Sequence, residues 1–183
     1  MRLMHSILSM ILGFSLMSVT YADKADGGHE QHAGHRHHDA HVHGMATLDL
    51  VMDGEALMIH LQSPLMNFLG FEHQPETAQQ KHIYRDMLQQ FELLETLLTV
   101  EGASCHAESI EIDDVFANQN EAGHTDIDIS YFLRCEQPDK ITGLQINLFD
   151  IYNRLELLQV QMVLPSGQQQ LELNPQRTTL RIN

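Results

Sequence analysis

The fifteen residues from His29 to His43, HEQHAGHRHHDAHVH, have no place in any core that this chain can build. Seven of them are histidine (His29, His32, His35, His37, His38, His41 and His43), and Val42 is the one large apolar side chain among the rest. So little apolar surface cannot offset the entropy of ordering a backbone, so the segment is expected to be disordered. What it offers in quantity is neutral imidazole, the commonest nitrogen ligand of divalent transition metals. A flexible run of imidazoles can wrap one cation in several interchangeable ways. It reads as a metal-collecting arm. The bland alternative is a solvated linker or a purification tag, and the internal position, acids and glycines speak against a tag.

Upstream, Arg2 precedes an apolar run from Ile7 to Val19 and then Thr20-Tyr21-Ala22, which is the pattern of a cleavable secretory signal over residues 1–22. The run is shorter than the roughly 20 apolar residues of a membrane span. Removing 22 of the 183 residues leaves 161, exported from the cytoplasm, with no later stretch suited to membrane insertion. Residues 23–43 are then the arm. Residues 44–183 suit a single domain with one core.

A formal charge of −15 argues against nucleic acid or an anionic membrane as partner and favours cations. Four of the ten methionines leave with the leader, and the remaining six are scattered, so no thioether cluster marks a copper(I) site. Imidazole mixed with carboxylate points instead to zinc, with copper(II) and nickel as competitors.

Within the domain, Ala46 to Met52 alternates apolar and polar, and Leu57, Ile59 and Leu61 repeat the same period after Asp53-Gly54. Asp-Gly between two alternating runs predicts an antiparallel hairpin, the second strand ending at Pro64. From Pro75 to Val100 the apolar positions Ile83, Met87, Leu88, Phe91, Leu94, Leu97 and Leu98 recur at helical spacing. This predicts one long helix, with Pro75 in its first turn, a Thr77/Gln80 capping box and Gly102 just past its end. Strands are expected over 105–116, 125–135, 144–149, 157–164, 169–173 and 178–182, separated by turn residues. The sum is an α+β domain, an antiparallel sheet of about eight strands with one long helix.

A hairpin centred on Asn120 puts residue 105 opposite residue 135, and both are cysteine. An exported chain with two cysteines so placed is expected to join Cys105 to Cys135, which leaves histidine and carboxylate for metal. Two buried free thiols are the alternative.

Several candidate ligands lie outside the looser tract. His41 and His43 share one face if the first strand starts early, as residues two apart do on extended backbone. Glu72 or His73 could complete a site with them; the alternative is that His73 serves only the start of the helix that follows. His124, at the start of the predicted 125–135 strand, alternates with Asp126 and Asp128 along it, a ladder that suits either a metal or a solvated strand face. His60 and His106 read as structural or exposed, and His82 as a solvated helix residue.

His41-Val42-His43-Gly44, Ser63-Pro64, Gly70-Phe71-Glu72-His73-Gln74-Pro75, Ser130-Tyr131-Phe132-Leu133-Arg134-Cys135 and Ser166-Gly167-Gln168 span nearly the whole mature chain. Carrying these, the chain resembles the ZrgA family of periplasmic zinc-binding proteins. The resemblance implies Zn2+ as the ion, a periplasmic location and a role beside a zinc transporter. Such proteins often carry a second His/Asp-rich insertion before the Tyr-x-Phe-x-Cys strand. Here that place holds only residues 118–124, with one histidine, so bulk capture would fall to the arm.

The function expected is capture of zinc and its delivery to an importer. The alternative is a buffer or detoxifier of copper(II) or nickel, since copper outranks zinc at most nitrogen sites. An enzyme is not expected: the sequence has no His-Glu-x-x-His, no Gly-x-Ser-x-Gly and no unpaired thiol to offer.

Overall fold

A computed structural model describes residues 42–113, 115–116 and 126–182. The chain enters through the predicted hairpin. β1 (Met45–Asp53) pairs antiparallel with β2 (Ala56–Pro64), Asp53 facing Ala56 across the turn. Leu48, Leu50, Leu57, Ile59 and Leu61 point inward, none more than 1% exposed, as the period of two requires.

Three small helices and one larger one follow the alternation less closely. α1 (Met66–Leu69) is a single turn, α2 (Ala78–Phe91) has fourteen residues, and α3 (Leu94–Leu97) and α4 (Leu148–Ile151) are again single turns. The predicted capping box forms: Thr77 accepts the Gln80 N–H at 3.1 Å, and Gln80 Oε1 accepts the Thr77 N–H at 3.1 Å. Pro75 therefore lies two residues before the cap rather than in the first turn.

The expected α+β fold with a long helix over 75–100 is not what forms: the domain is mostly β, with nine strands in two sheets among the described residues. The helix stops at Phe91 because Leu93 turns to extended backbone (φ −107°, ψ 117°), and after one further turn Leu98 begins β3 (Leu98–Glu101). Leu97 and Leu98 both enter the core, so a short turn followed by a strand reproduces the three-and-four spacing of one continuous helix. Gly102 does not close a helix. It holds φ +93° in the turn after β3, where a Cβ would collide with the Lys140 carbonyl oxygen.

Nor is the main sheet purely antiparallel. β4 (Ser104–Asp113), β5 (Asp126–Glu136), β7 (Leu157–Leu164) and β8 (Gly167–Leu173) join the hairpin in the order β4-β5-β2-β1-β7-β8, and β1 runs parallel to β7. β3, β6 (Gly143–Ile146) and β9 (Thr179–Arg181) make the second sheet. The expected strand over 144–149 thus divides into β6 and α4.

The core lies between the main sheet, the helices and the second sheet. Tyr131, fully buried on β5, donates its hydroxyl to the Phe91 carbonyl at 2.7 Å and so ties the end of α2 to the sheet. Phe91, Phe68 and Tyr152 pack ring against ring, with centroids 4.7 to 5.6 Å apart. Burial pushes the Tyr131 and Tyr152 phenols above their usual range.

Cys105 and Cys135 stand opposite each other and are joined, Cα to Cα 4.0 Å. The register set by an Asn120 centre holds from Ser104 to Ala107, then a bulge shifts it by one and Ser109 faces Phe132. Among the described residues no helix is long and apolar enough to cross a membrane.

Candidate metal centre

The end of the main sheet where β1 begins and β2 finishes is organised by one buried amide. Asn67, 1% exposed within the apolar run around α1, accepts the Gly44 N–H on Oδ1 at 2.7 Å. Its Nδ2 donates to the Met45 carbonyl at 2.7 Å and to Ser63 Oγ at 3.0 Å. A buried amide needs such partners, and by taking them Asn67 locks the entering chain to the end of β2. The Gly44 carbonyl in turn accepts the N–H groups of Glu156 and Leu157, at 2.8 and 2.9 Å.

Residues 42–45 form a turn, the Met45 N–H donating to the Val42 carbonyl at 3.0 Å, and Gly44 holds φ +86°. β1 starts only at Met45, so His43 sits in this turn rather than on extended backbone. From there its imidazole reaches the loop between α1 and α2, Nε2 lying 2.9 Å from Glu72 Oε1. The two side chains are 57% and 27% exposed, open enough for an ion to arrive from solvent.

His73 faces elsewhere. Its Nδ1 lies 2.9 Å from the Gln74 carbonyl, which only an N–H can satisfy, and its second ring nitrogen is Nε2. That nitrogen lies 3.4 Å from the Gln80 side-chain amide, and the ring packs 5.2 Å from Phe71. Among the described residues no three His, Cys, Asp or Glu side chains are gathered closely enough to hold an ion as they stand. His29, His32, His35, His37, His38, His41 and His124 lie outside the described residues.

Asp126 and Asp128 alternate outward on β5, away from buried Ile127 and Ile129. Asp128 Oδ1 lies 3.3 Å from His60 Nε2 on β2, and His60 Nδ1 lies 3.0 Å from Ser130 Oγ. Burial raises the Asp128 carboxyl above its usual range; the like charge of Asp113 adds to this, and His60 pulls the other way.

Three residues here escaped the sequence reading. Asn67 was marked only by being the one amide in Leu65-Met66-Asn67-Phe68-Leu69. Glu156 has its carboxyl carbon 3.5 Å from where a Gly44 Cβ would stand, one residue from His43, through a parallel strand pairing that no local pattern announces. His60 alternates outward as the period says, but its partner Asp128 is fixed by the long-range β2–β5 register.

Among known protein families, the model described as ZrgA family zinc uptake protein matches the chain over residues 40–182. No curated protein matches the chain.

Proposed function

Because this chain belongs to the ZrgA family of zinc uptake proteins, whose model covers residues 40–182, we propose that it captures Zn2+ outside the cytoplasm through imidazole and carboxylate and assists its delivery to an uptake system. The family is one of uptake proteins rather than enzymes. Export, and with it a periplasmic location, is supported by the leader-like residues 1–22. The histidines of the 23–43 segment serve as the antenna, and the domain that follows receives the ion.

The single observation that carries this reading is the His43–Glu72 pair, 2.9 Å apart at the junction between the arm and the domain. An ion handed along the arm reaches His43 and meets a carboxylate at once. Two ligands of one tetrahedral zinc stand about 3.3 Å apart, from metal–ligand distances of roughly 2.0–2.2 Å. The pair need only exchange its shared proton for the ion and open by about 0.4 Å. Two protein ligands leave the remaining positions to arm imidazoles, water or an acceptor's own ligands, and an open coordination sphere lets cargo move on. Protons compete with metal for imidazole, whose ordinary pKa is about 6.5, so loading should fall on acidification.

Zinc titration calorimetry on the mature chain, beside His43→Ala and Glu72→Gln, tests the pair. The tightest class of site should weaken at least about tenfold in either variant, ~1.4 kcal/mol. Titrations that superpose on the parent's would remove His43 and Glu72 from the ligand set. Growth separates zinc supply from handling of copper or nickel: a strain lacking the chain should starve under zinc chelation, and sensitivity to excess copper or nickel alone would favour the alternative.

A further inference from the structure

The outward face of the main sheet carries a second gathering of ligand side chains, away from the junction. Across β4, β5, β2 and β1 the register sets Glu111, Ser130, His60 and Asp49 in one row. The next row sets Asp113 opposite Asp128 opposite Gln62. Like charges directly across a strand pair oppose each other, so Asp113 facing Asp128 costs stability unless something positive stands between them. No lysine or arginine occupies these two rows. Arg134, further along β5, is already engaged by Glu108 at 2.6 Å and Glu55 at 3.2 Å.

The imidazole in this block is oriented as a ligand. His60 Nδ1 is engaged by Ser130 Oγ at 3.0 Å, the outer contact that fixes ring orientation and leaves Nε2 for a metal. Nε2 points at Asp128 Oδ1 across 3.3 Å. That gap is long for a charge-assisted hydrogen bond, which closes to about 2.7–2.9 Å. It equals the span of two ligands on one tetrahedral zinc, about 3.3 Å.

We propose that this face holds a second divalent-cation site of zinc class, with His60 Nε2 and an Asp128 carboxylate oxygen as strand-fixed ligands and Asp113 as the third, turned in from its exposed position. An imidazole with two carboxylates suits zinc, water filling the fourth position. Naming zinc as the ion rests on the uptake reading, whereas the site uses neither His43 nor Glu72.

The test is zinc titration of the full mature chain labelled with 15N at the histidine rings, followed by NMR. His60 Nε2 should move to a metal-bound shift as zinc is added in stoichiometric amount. In Asp128→Asn and in Asp113→Asn, both near-isosteric, the zinc needed to half-saturate His60 should rise about tenfold or more. A His60 ring that stays put until zinc is in large excess overturns the site. So does a His60 response that in both aspartate variants is the same as the parent's, which would mean a lone imidazole collecting metal. The His43 ring, read in the same spectra, reports the junction pair separately, so failure of the sheet-face site and failure of the capture reading are distinguishable. Retained strand amide shifts in each variant exclude unfolding as the cause.

Discussion

His43–Glu72 and His60–Asp128 join the same two chemistries on different kinds of backbone. His43 sits in a turn and Glu72 in a loop, 2.9 Å apart, and the buried Asn67 amide ties the chain that enters β1 to the end of β2. His60 and Asp128 sit at diagonal positions on adjacent strands, their side chains 3.3 Å apart. Loop-borne ligands adapt and exchange, whereas strand-borne ligands hold one geometry. One domain thus presents a loop-borne pair beside the entering chain and a strand-borne pair on its main sheet.

The largest effect should come from the disulfide. Cys105–Cys135 closes 30 residues of chain and clamps β4, an edge strand, onto β5. Replacing both cysteines by serine should cost about 3–4 kcal/mol in denaturant unfolding, on the loop-closure account of cross-links. β4 carries Asp113, so zinc binding at His60 should weaken while the His43 ring responds as before. Unchanged zinc binding at His60 would mean that β4 contributes nothing to the fixed pair.

Asn67→Ala aims at the other member. It leaves the Gly44 N–H, the Met45 carbonyl and Ser63 Oγ without the partner that now serves all three. Stranding buried polar groups costs about 1–3 kcal/mol. Loss of an outer positioning contact typically weakens a metal site by roughly 10- to 100-fold. The expected outcome is a modest fall in unfolding free energy and about tenfold weaker zinc binding at His43, with His60 unaffected. Equal weakening at both rings would show that Asn67 acts through global stability alone.

Legibility in the sequence followed the range of the interactions. The β1–β2 hairpin, the Thr77 capping box and the Cys105–Cys135 pairing are local or symmetric about one turn, and alternation, cap spacing and a count from Asn120 foretell them. The single helix over 75–100 failed because Leu94, Leu97 and Leu98 keep helical spacing while Leu93 turns the backbone out of it. The site divided in the same way. Glu72 was a candidate through its place beside His73, and it meets His43 across 29 residues of sequence. His60 was read as exposed because its neighbours come from β5, seventy residues away in the case of Ser130, and no local period encodes that register. Glu156 depends on the β1–β7 parallel pair, whose crossover passes through most of the domain.

The smallest effect is also the one that separates a metal site from a solvated strand face. Ionised Asp128 is disfavoured in the fold, first by burial and then by Asp113, despite the pull of His60. Without zinc, Asp128→Asn removes that cost at neutral pH, so the variant should melt slightly higher than the parent, by no more than about 2 °C since the side chain is partly solvated. Zinc bound to the native state adds stability in proportion to how far its concentration exceeds the dissociation constant. With zinc present the order should therefore invert, the parent gaining from the sheet-face site what the variant cannot. Paired thermal melts in chelator and in excess zinc measure this directly. If the variant stayed above the parent under both conditions, the outward carboxylates would be a repulsive surface and no more, and the arm and the His43–Glu72 junction would be left as the metal-handling parts of the chain.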